Sequence, residues 1–269
     1  MKALSHIPLA TVAMVAVACS SSSPDRRQDG AVAKASIAIA TAGGLTVALL
    51  ADKDLETGLI PIYLQITTAS GQPVTDATVT FSPTMAMSGV VEHGAPLSES
   101  PTIASDGLYH TGVVFPMAST PTGTWSATVD VTRPGATTVE VSFPTLDVRE
   151  NGSASMFSYT DPVKSVTTRY VTSLSFVTRP TIGLNPIVFT LHQSQDMATF
   201  VPVGDATIVL DPQMPSMGHG SPGSVDPTST VPGLYQGKLS LSMTGTWQTT
   251  ATVREGVTTL GAPIFTTTF

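Results

Sequence analysis

The feature that most constrains this chain is an internal repeat, in which four short segments recur in the same order. The paired segments are Gly58–Ile62 with Gly183–Ile187, Asp76–Thr78 with Asp205–Thr207, Gly107–Tyr109 with Gly233–Tyr235, and Gly123–Trp125 with Gly245–Trp247. The offset between partners stays between 122 and 129 residues, so the copies differ only by small insertions and deletions. This constancy indicates a tandem duplication of one domain of roughly 100 residues.

Short apolar runs broken by Gly, Pro, Asp and Asn predict strands throughout both copies. Runs such as Leu45–Leu50 and Trp125–Val131 alternate apolar residues with Thr, Ser or Asp, which is the period of a half-buried strand. We therefore predict an all-β protein of two tandem immunoglobulin-like β-sandwich domains that follow a lipoprotein signal peptide, with about seven strands per domain. The repeated Trp and the repeated Tyr are expected to anchor the two cores.

The amino terminus has the pattern of a secretion signal. Lys2 is followed by an apolar run, Ile7–Ala18, which is shorter than the roughly 20 residues that span a bilayer. Ala16-Val17-Ala18-Cys19 resembles the lipobox of bacterial lipoproteins, in which the signal is cut before a cysteine that receives lipid. We predict a signal peptide over residues 1–18 and lipidation of Cys19. The alternative is an ordinary secretory signal that leaves Cys19 as a free thiol.

A lipidated Cys19 predicts a protein of the cell envelope that is anchored to a membrane. Ser20 stands where an Asp would resemble an inner-membrane retention signal, so the outer membrane is favoured over the inner. Cys19 is the only cysteine, which excludes disulfides, Cys-ligated zinc and thiol catalysis from the folded part. The net charge is −7 and basic residues are not clustered, so we expect no nucleic-acid partner.

Composition shifts divide the chain into five parts. Residues 19–43 are predicted to be the lipidated cysteine and a flexible tether, because they begin with a polar, Ser-rich stretch. The charged, turn-rich stretch that begins at Arg149 separates the copies. The predicted domains are therefore copy one over residues 44–148, a linker over residues 149–164, and copy two over residues 165–269.

The motifs of common enzymes are missing from the sequence. It contains no His-Glu-x-x-His, no phosphate-binding loop and no Gly-x-Gly-x-x-Gly after a strand. The nearest approach to a nucleophile elbow, His219–Gly223, lacks the first glycine. We expect no catalytic residues and no enzymatic activity.

Methionine and histidine recur at matched places in the two copies. Copy two carries Met214, Met217 and His219 in one Gly/Pro-rich loop, and Met243 lies eight residues beyond the repeated Tyr, on the same predicted strand. The weaker counterpart in copy one comprises Met85, Met87, His93 and Met117. Soft thioethers combined with imidazole suit Cu(I), so these residues are the candidate metal ligands and Cu(I) the candidate cofactor. Alternatively, the methionines fill gaps in the core.

The sequence Met-Pro-Ser-Met-Gly-His, followed by Gly-Leu-Tyr and then Leu-Ser-Met-Thr-Gly-Thr-Trp, resembles the YtkA-like domain. Copy two carries the full pattern over residues 186–253, and copy one carries a degraded version. The resemblance implies a small β-sandwich of bacterial envelope proteins, some of which are encoded or fused with copper-handling and metal-efflux components.

Two functional hypotheses follow. In the first, the protein is an envelope lipoprotein that binds or relays Cu(I) through its Met/His loops. In the second, the tandem sandwiches form a structural or interaction module that presents loops or strand edges to an envelope protein partner. The sequence specifies neither the partner nor the oligomeric state.

Overall fold

The computed structural model describes residues 34–87 and 91–269, and all regular structure in these ranges is β-strand. The all-β prediction is therefore confirmed, whereas the immunoglobulin-like type remains a prediction. Within these two ranges no helix has the length and apolarity needed to cross a membrane. The predicted signal peptide and Cys19 lie outside the described residues.

The described residues of copy one form nine strands in two antiparallel sheets. The strands are β1 (Ala35–Ala42), β2 (Leu45–Ala51), β3 (Gly58–Thr68), β4 (Thr78–Met87), β5 (Val91–Gly94), β6 (Leu97–Ile103), β7 (Tyr109–Phe115), β8 (Gly123–Thr132) and β9 (Val139–Leu146). One sheet has the order β1-β2-β3-β7-β6 and the other has the order β5-β4-β8-β9. Both sheets contribute side chains to one hydrophobic core, as a sandwich requires.

Copy two repeats this arrangement. Its strands are β10 (Ala154–Thr160), β11 (Thr167–Phe176), β12 (Gly183–Ser194), β13 (Val201–Pro202), β14 (Thr207–Met214), β15 (His219–Gly220), β16 (Val225–Val231), β17 (Leu234–Leu241), β18 (Thr246–Glu255), β19 (Thr258–Gly261) and β20 (Ile264–Thr268). The first sheet has the order β10-β11-β12-β17-β16, and β13 pairs with β12. The second has the order β15-β14-β18-β19, and β20 pairs with β18.

The repeated aromatic residues anchor the two cores, as predicted. Trp125 and Trp247 are fully buried, and so are Tyr109 and Tyr235. Each tyrosine hydroxyl accepts a hydrogen bond from the backbone N–H that precedes the second strand of the opposite sheet, at Ala77 in copy one and at Ala206 in copy two. The polar end of each buried tyrosine is thus satisfied.

Two segments outside the predicted domain boundaries belong to the sheets. Residues 35–42, assigned to the tether, form β1 along β2, and residues 154–160, assigned to the linker, form β10 along β11. Both segments are rich in Ala, Ser and Thr, which resembles a tether in composition. Their alternation nevertheless packs Ile37 on one core and Phe157 on the other, so each strand extends a sheet edge.

The two copies are packed against each other, and both fall within one compact unit. Val114 from β7 and Val171 from β11 are fully buried in a small apolar cluster that also contains Met197. The chain that passes between the copies is fixed too. Thr57 N–H donates to Arg149 O at 2.8 Å, and Ser153 Oγ donates to Thr57 O at 2.6 Å. Residues 149–153 are therefore hydrogen-bonded into the junction between the copies.

Candidate functional site

In copy two, the Met-Pro-Ser-Met-Gly-His motif forms a tight hairpin between β14 and β15. Met214 lies directly opposite His219 in the strand pair. The backbone oxygen of Met214 accepts hydrogen bonds from the N–H groups of Met217 and Gly218, both at 3.0 Å. Gly218 closes the turn with a φ of 65°, a conformation that glycine adopts without steric cost. The turn therefore holds three of the predicted ligand residues within one short segment.

The side chains of these residues have very different environments. Met214 is 3% exposed and is part of the core of copy two, whereas Met217, on the turn, is 61% exposed. A Cβ at Gly245 would lie 3.8 Å from the Met214 sulfur, so that glycine leaves room for the thioether. Met243 is partly buried and packs on the same core.

The imidazole of His219 is oriented for binding through one nitrogen. Its Nδ1 lies 3.0 Å from Gly220 O. Because a carbonyl oxygen only accepts hydrogen bonds, Nδ1 carries a proton, and in the neutral imidazole the lone pair is then on Nε2. The ring also meets Trp247 edge-on, with ring centroids 5.8 Å apart, and Trp247 Nε1 donates to Met243 O at 3.0 Å. Trp247 thus connects the hairpin with Met243.

Copy one reproduces this framework. Met85 lies opposite His93 in the β4–β5 pair, and Met85 also lies opposite Trp125 in the β4–β8 pair. Trp125 Nε1 donates to Met117 O at 2.9 Å, which matches the bond between Trp247 and Met243. The three-dimensional equivalence of the two Met/His sets therefore agrees with the repeat.

One detail of the prediction is wrong. Met117 and Met243 do not lie on the strand that carries the repeated Tyr, because β7 ends at Phe115 and β17 ends at Leu241. Both methionines lie in the connection to the next strand, at the end of the sandwich. This position brings their backbones to the indole N–H of the repeated Trp.

The two histidines differ in their hydrogen bonds. Nδ1 of His93 is buried and has no hydrogen-bond partner among the described residues, in contrast to the bonded Nδ1 of His219.

His93 and Met117 also line a cleft of about 330 Å³ together with Met156 and Met197 of copy two. Sequence reasoning assigned no role to these last two methionines. They have no partner in the repeat, so the repeat contains no signal that could have found them.

These observations define a class of protein, namely a tandem β-sandwich in which each copy places a methionine opposite a histidine on neighbouring strands. Residues 165–252 match the family model described as YtkA-like, so copy two contains a YtkA-like domain. This confirms the resemblance for copy two, and the matched segment includes Met214, Met217, His219 and Met243. The match does not extend to copy one. A search of curated proteins found no match.

Proposed function

We propose that this protein is a non-enzymatic lipoprotein of the cell envelope that binds Cu(I) through the Met/His turn of its YtkA-like domain. The observation that carries the proposal is the cross-strand pair of Met214 and His219 on a tight turn, in which Nδ1 of His219 is engaged by Gly220 O and Nε2 is the nitrogen left to bind an ion. A thioether and an imidazole from facing strands offer the mixed soft and borderline donors that Cu(I) accepts.

The remaining ligands come from the same end of the sandwich. Met243 is tied to the site through the hydrogen bond between its carbonyl and Trp247. Met217 is exposed on the turn, so its flexible side chain is free to close over an ion from the solvent side. Thioethers also suit an oxidising compartment, where exposed thiols would be oxidised.

Competition against a chromophoric Cu(I) chelator, under anaerobic conditions, tests the ligand set. We expect His219→Ala and the double variant Met214→Leu/Met217→Leu to lose affinity by about tenfold or more, since each removes direct ligands. Leucine nearly conserves the volume of methionine, so the core around Met214 should be retained. Gln213→Ala, which changes an exposed neighbour on β14, is the matched control and should bind as wild type. Binding by the double variant equal to that of wild type would remove the methionines from the site.

Membrane attachment is tested separately. After expression in a bacterial envelope, the wild-type protein should partition with the membranes, and Cys19→Ser should release it into the soluble fraction. Several acyl chains anchor a protein stably, whereas one chain holds it only marginally. Recovery of unlipidated wild-type protein in the soluble fraction would contradict the assignment of Cys19.

The second candidate function is a structural or interaction module for an envelope protein partner. It is favoured by the packed junction between the copies, which suits a stiff spacer, and by the core position of Met85 and Met214. Cu(I) binding by Met214→Leu/Met217→Leu equal to that of wild type would support this alternative. The absence of Cu(I) binding in wild type would support it as well.

A further inference from the structure

A cleft at the junction between the copies brings together methionines that the repeat leaves unmatched. His93 and Met117 of copy one line it from one side, and Met156 and Met197 of copy two line it from the other. Three of the eight methionines that follow Cys19 therefore border one cleft of about 330 Å³, although they are far apart in sequence. Met156, on edge strand β10, is 41% exposed, so the cleft is reachable from solvent.

Met197 is held beside His93 by direct backbone contact between the copies. Its carbonyl oxygen accepts a hydrogen bond from Gly94 N–H at 2.8 Å, one residue beyond His93. The approach is close, since a Cβ at Gly94 would lie 3.0 Å from Ala198 O. Met197 itself is 6% exposed. The junction thus places a buried thioether next to the strand that carries the imidazole.

The loop that carries Met197 has an unusual backbone conformation that several hydrogen bonds stabilise. Met197 has a φ of 62°, which side-chain-bearing residues rarely adopt. Ser194 Oγ accepts the Met197 N–H at 2.8 Å, and the Asp196 carboxylate accepts the N–H groups of Ala198 and Thr199. Backbone strain maintained by its surroundings is typical of functional sites.

His93 contributes an imidazole to the lining of the cleft. Its Nδ1 is buried, and among the described residues no group donates to it or accepts from it. Because solvent does not reach Nδ1, Nε2 is the imidazole nitrogen that remains for an ion in the cleft. His93 shares the lining of that cleft with three methionines.

The chemistry of the lining selects the ion. Thioethers are soft ligands and bind Cu(I) in preference to zinc, magnesium or calcium. Arg169 also borders the cleft, and its Nη1 donates to Gln195 O at 2.8 Å. The exposed guanidinium opposes any cation in the cleft, and it opposes a divalent ion about twice as strongly as Cu(I).

We propose that His93, Met117, Met156 and Met197 bind one Cu(I) ion at the junction between the copies. This site is separate from the turn of copy two and does not depend on the function proposed for that turn. Since its ligands come from both copies, bound copper would link them. The protein would then carry two Cu(I) ions, one at the end of copy two and one between the copies.

Anaerobic Cu(I) titration of the full mature chain tests the stoichiometry. Wild type should bind two equivalents and Met156→Leu/Met197→Leu only one. Met214→Leu/Met217→Leu should also bind one equivalent, so the two sites fail independently. Retention of both equivalents by Met156→Leu/Met197→Leu would overturn the junction site, whereas retention by Met214→Leu/Met217→Leu would overturn only the turn site.

A second measurement uses the wild-type protein and so does not depend on the folding of a variant. Cu(I) is diamagnetic, and methionines labelled with ¹³C at the methyl group can be followed by NMR during the titration. We expect the methyl resonances of Met117, Met156 and Met197 to shift together, in proportion to one bound equivalent. If these three resonances stay unchanged at saturation while others shift, the junction site does not exist.

Discussion

At the scale of single residues, the repeat provides matched positions whose surroundings differ. Gly58 and Gly183 occupy equivalent places at the starts of β3 and β12, and both have positive φ, of 97° and 110°. The positive φ would therefore destabilise a residue with a side chain by a similar free energy at either position. Only Gly58 faces the junction, where a Cβ would clash with Ser153 Oγ and would lie 3.3 Å from Ser153 Cβ. Nothing lies within 4 Å of the equivalent atom at Gly183.

This difference predicts unequal effects of one substitution. Gly58→Ala should lower the free energy of unfolding by about 1–3 kcal/mol more than Gly183→Ala, because Ser153 Oγ is held by its hydrogen bond to Thr57 O. Urea denaturation of the two variants measures the difference. Gly183→Ala is the control for the cost of placing alanine at a positive φ. Equal losses of unfolding free energy in the two variants would mean that Ser153 moves aside for the added methyl group at little cost.

At the scale of elements, β12 carries a buried histidine whose pKa is strongly lowered. His192 is 2% exposed, and its Nδ1 has no hydrogen-bond partner among the described residues. Burial lowers the pKa of its imidazole from 6.5 to about 4, although a hydrogen bond to the backbone of Leu97 in copy one acts in the opposite direction. β12 therefore contributes a neutral histidine to the face that meets copy one.

The lowered pKa predicts a loss of stability in acid. Between pH 6.5 and pH 4 the unfolded chain binds a proton at His192 that the folded chain does not, so the free energy of unfolding falls as pH falls through this window. Between pH 7 and pH 5 the loss from this group is about 2 kcal/mol. Urea denaturation at the two pH values should show it in wild type, and His192→Leu should remove that share of the loss.

The control for this experiment is Val171→Ala, which changes the cross-strand neighbour of His192. It should lower stability at both pH values and keep the wild-type difference between them. If His192→Leu keeps the full acid-induced loss, His192 is not the group responsible.

At the scale of the whole molecule, the junction and the edge strands decide where copy two begins. β10 lies within the stretch predicted to be a linker, yet its Phe157 stacks on Tyr170 of β11 with ring centroids 4.9 Å apart. A fragment of copy two that begins at residue 165 would lack β10, so one edge of β11 would be exposed and the contact between Phe157 and Tyr170 would be lost. A fragment that begins at residue 150 would keep the strand pair and the contact.

Two fragments of copy two should therefore differ in stability. Residues 150–269 should be soluble and should unfold in one cooperative transition, whereas residues 165–269 should be less stable by about 2–4 kcal/mol, since a partly buried aromatic strand is missing. Urea denaturation of both fragments, followed by Trp247 fluorescence, measures this. Equal stability would show that β10 contributes little. An unstructured 150–269 fragment would mean that the two copies depend on a shared core.

The sequence by itself determined the local architecture. The alternation of apolar and polar residues, interrupted by Gly and Pro, was sufficient to predict the β-strands. The repeat located the buried Trp and Tyr anchors, and the spacing of Met214, Met217 and His219 located a turn. These features depend on residues that are neighbours in sequence or that recur at a fixed offset, so inspection can detect them.

Only the tertiary structure decided how the copies meet. The small cluster of Val114, Val171 and Met197 joins residues that no periodicity relates, and the cleft beside it exists because that packing is formed. The edge strands β1 and β10 depend equally on tertiary contacts, since their composition alone resembles a tether. Packing between segments distant in sequence follows from shape and burial in three dimensions, which a pattern of residue types does not contain.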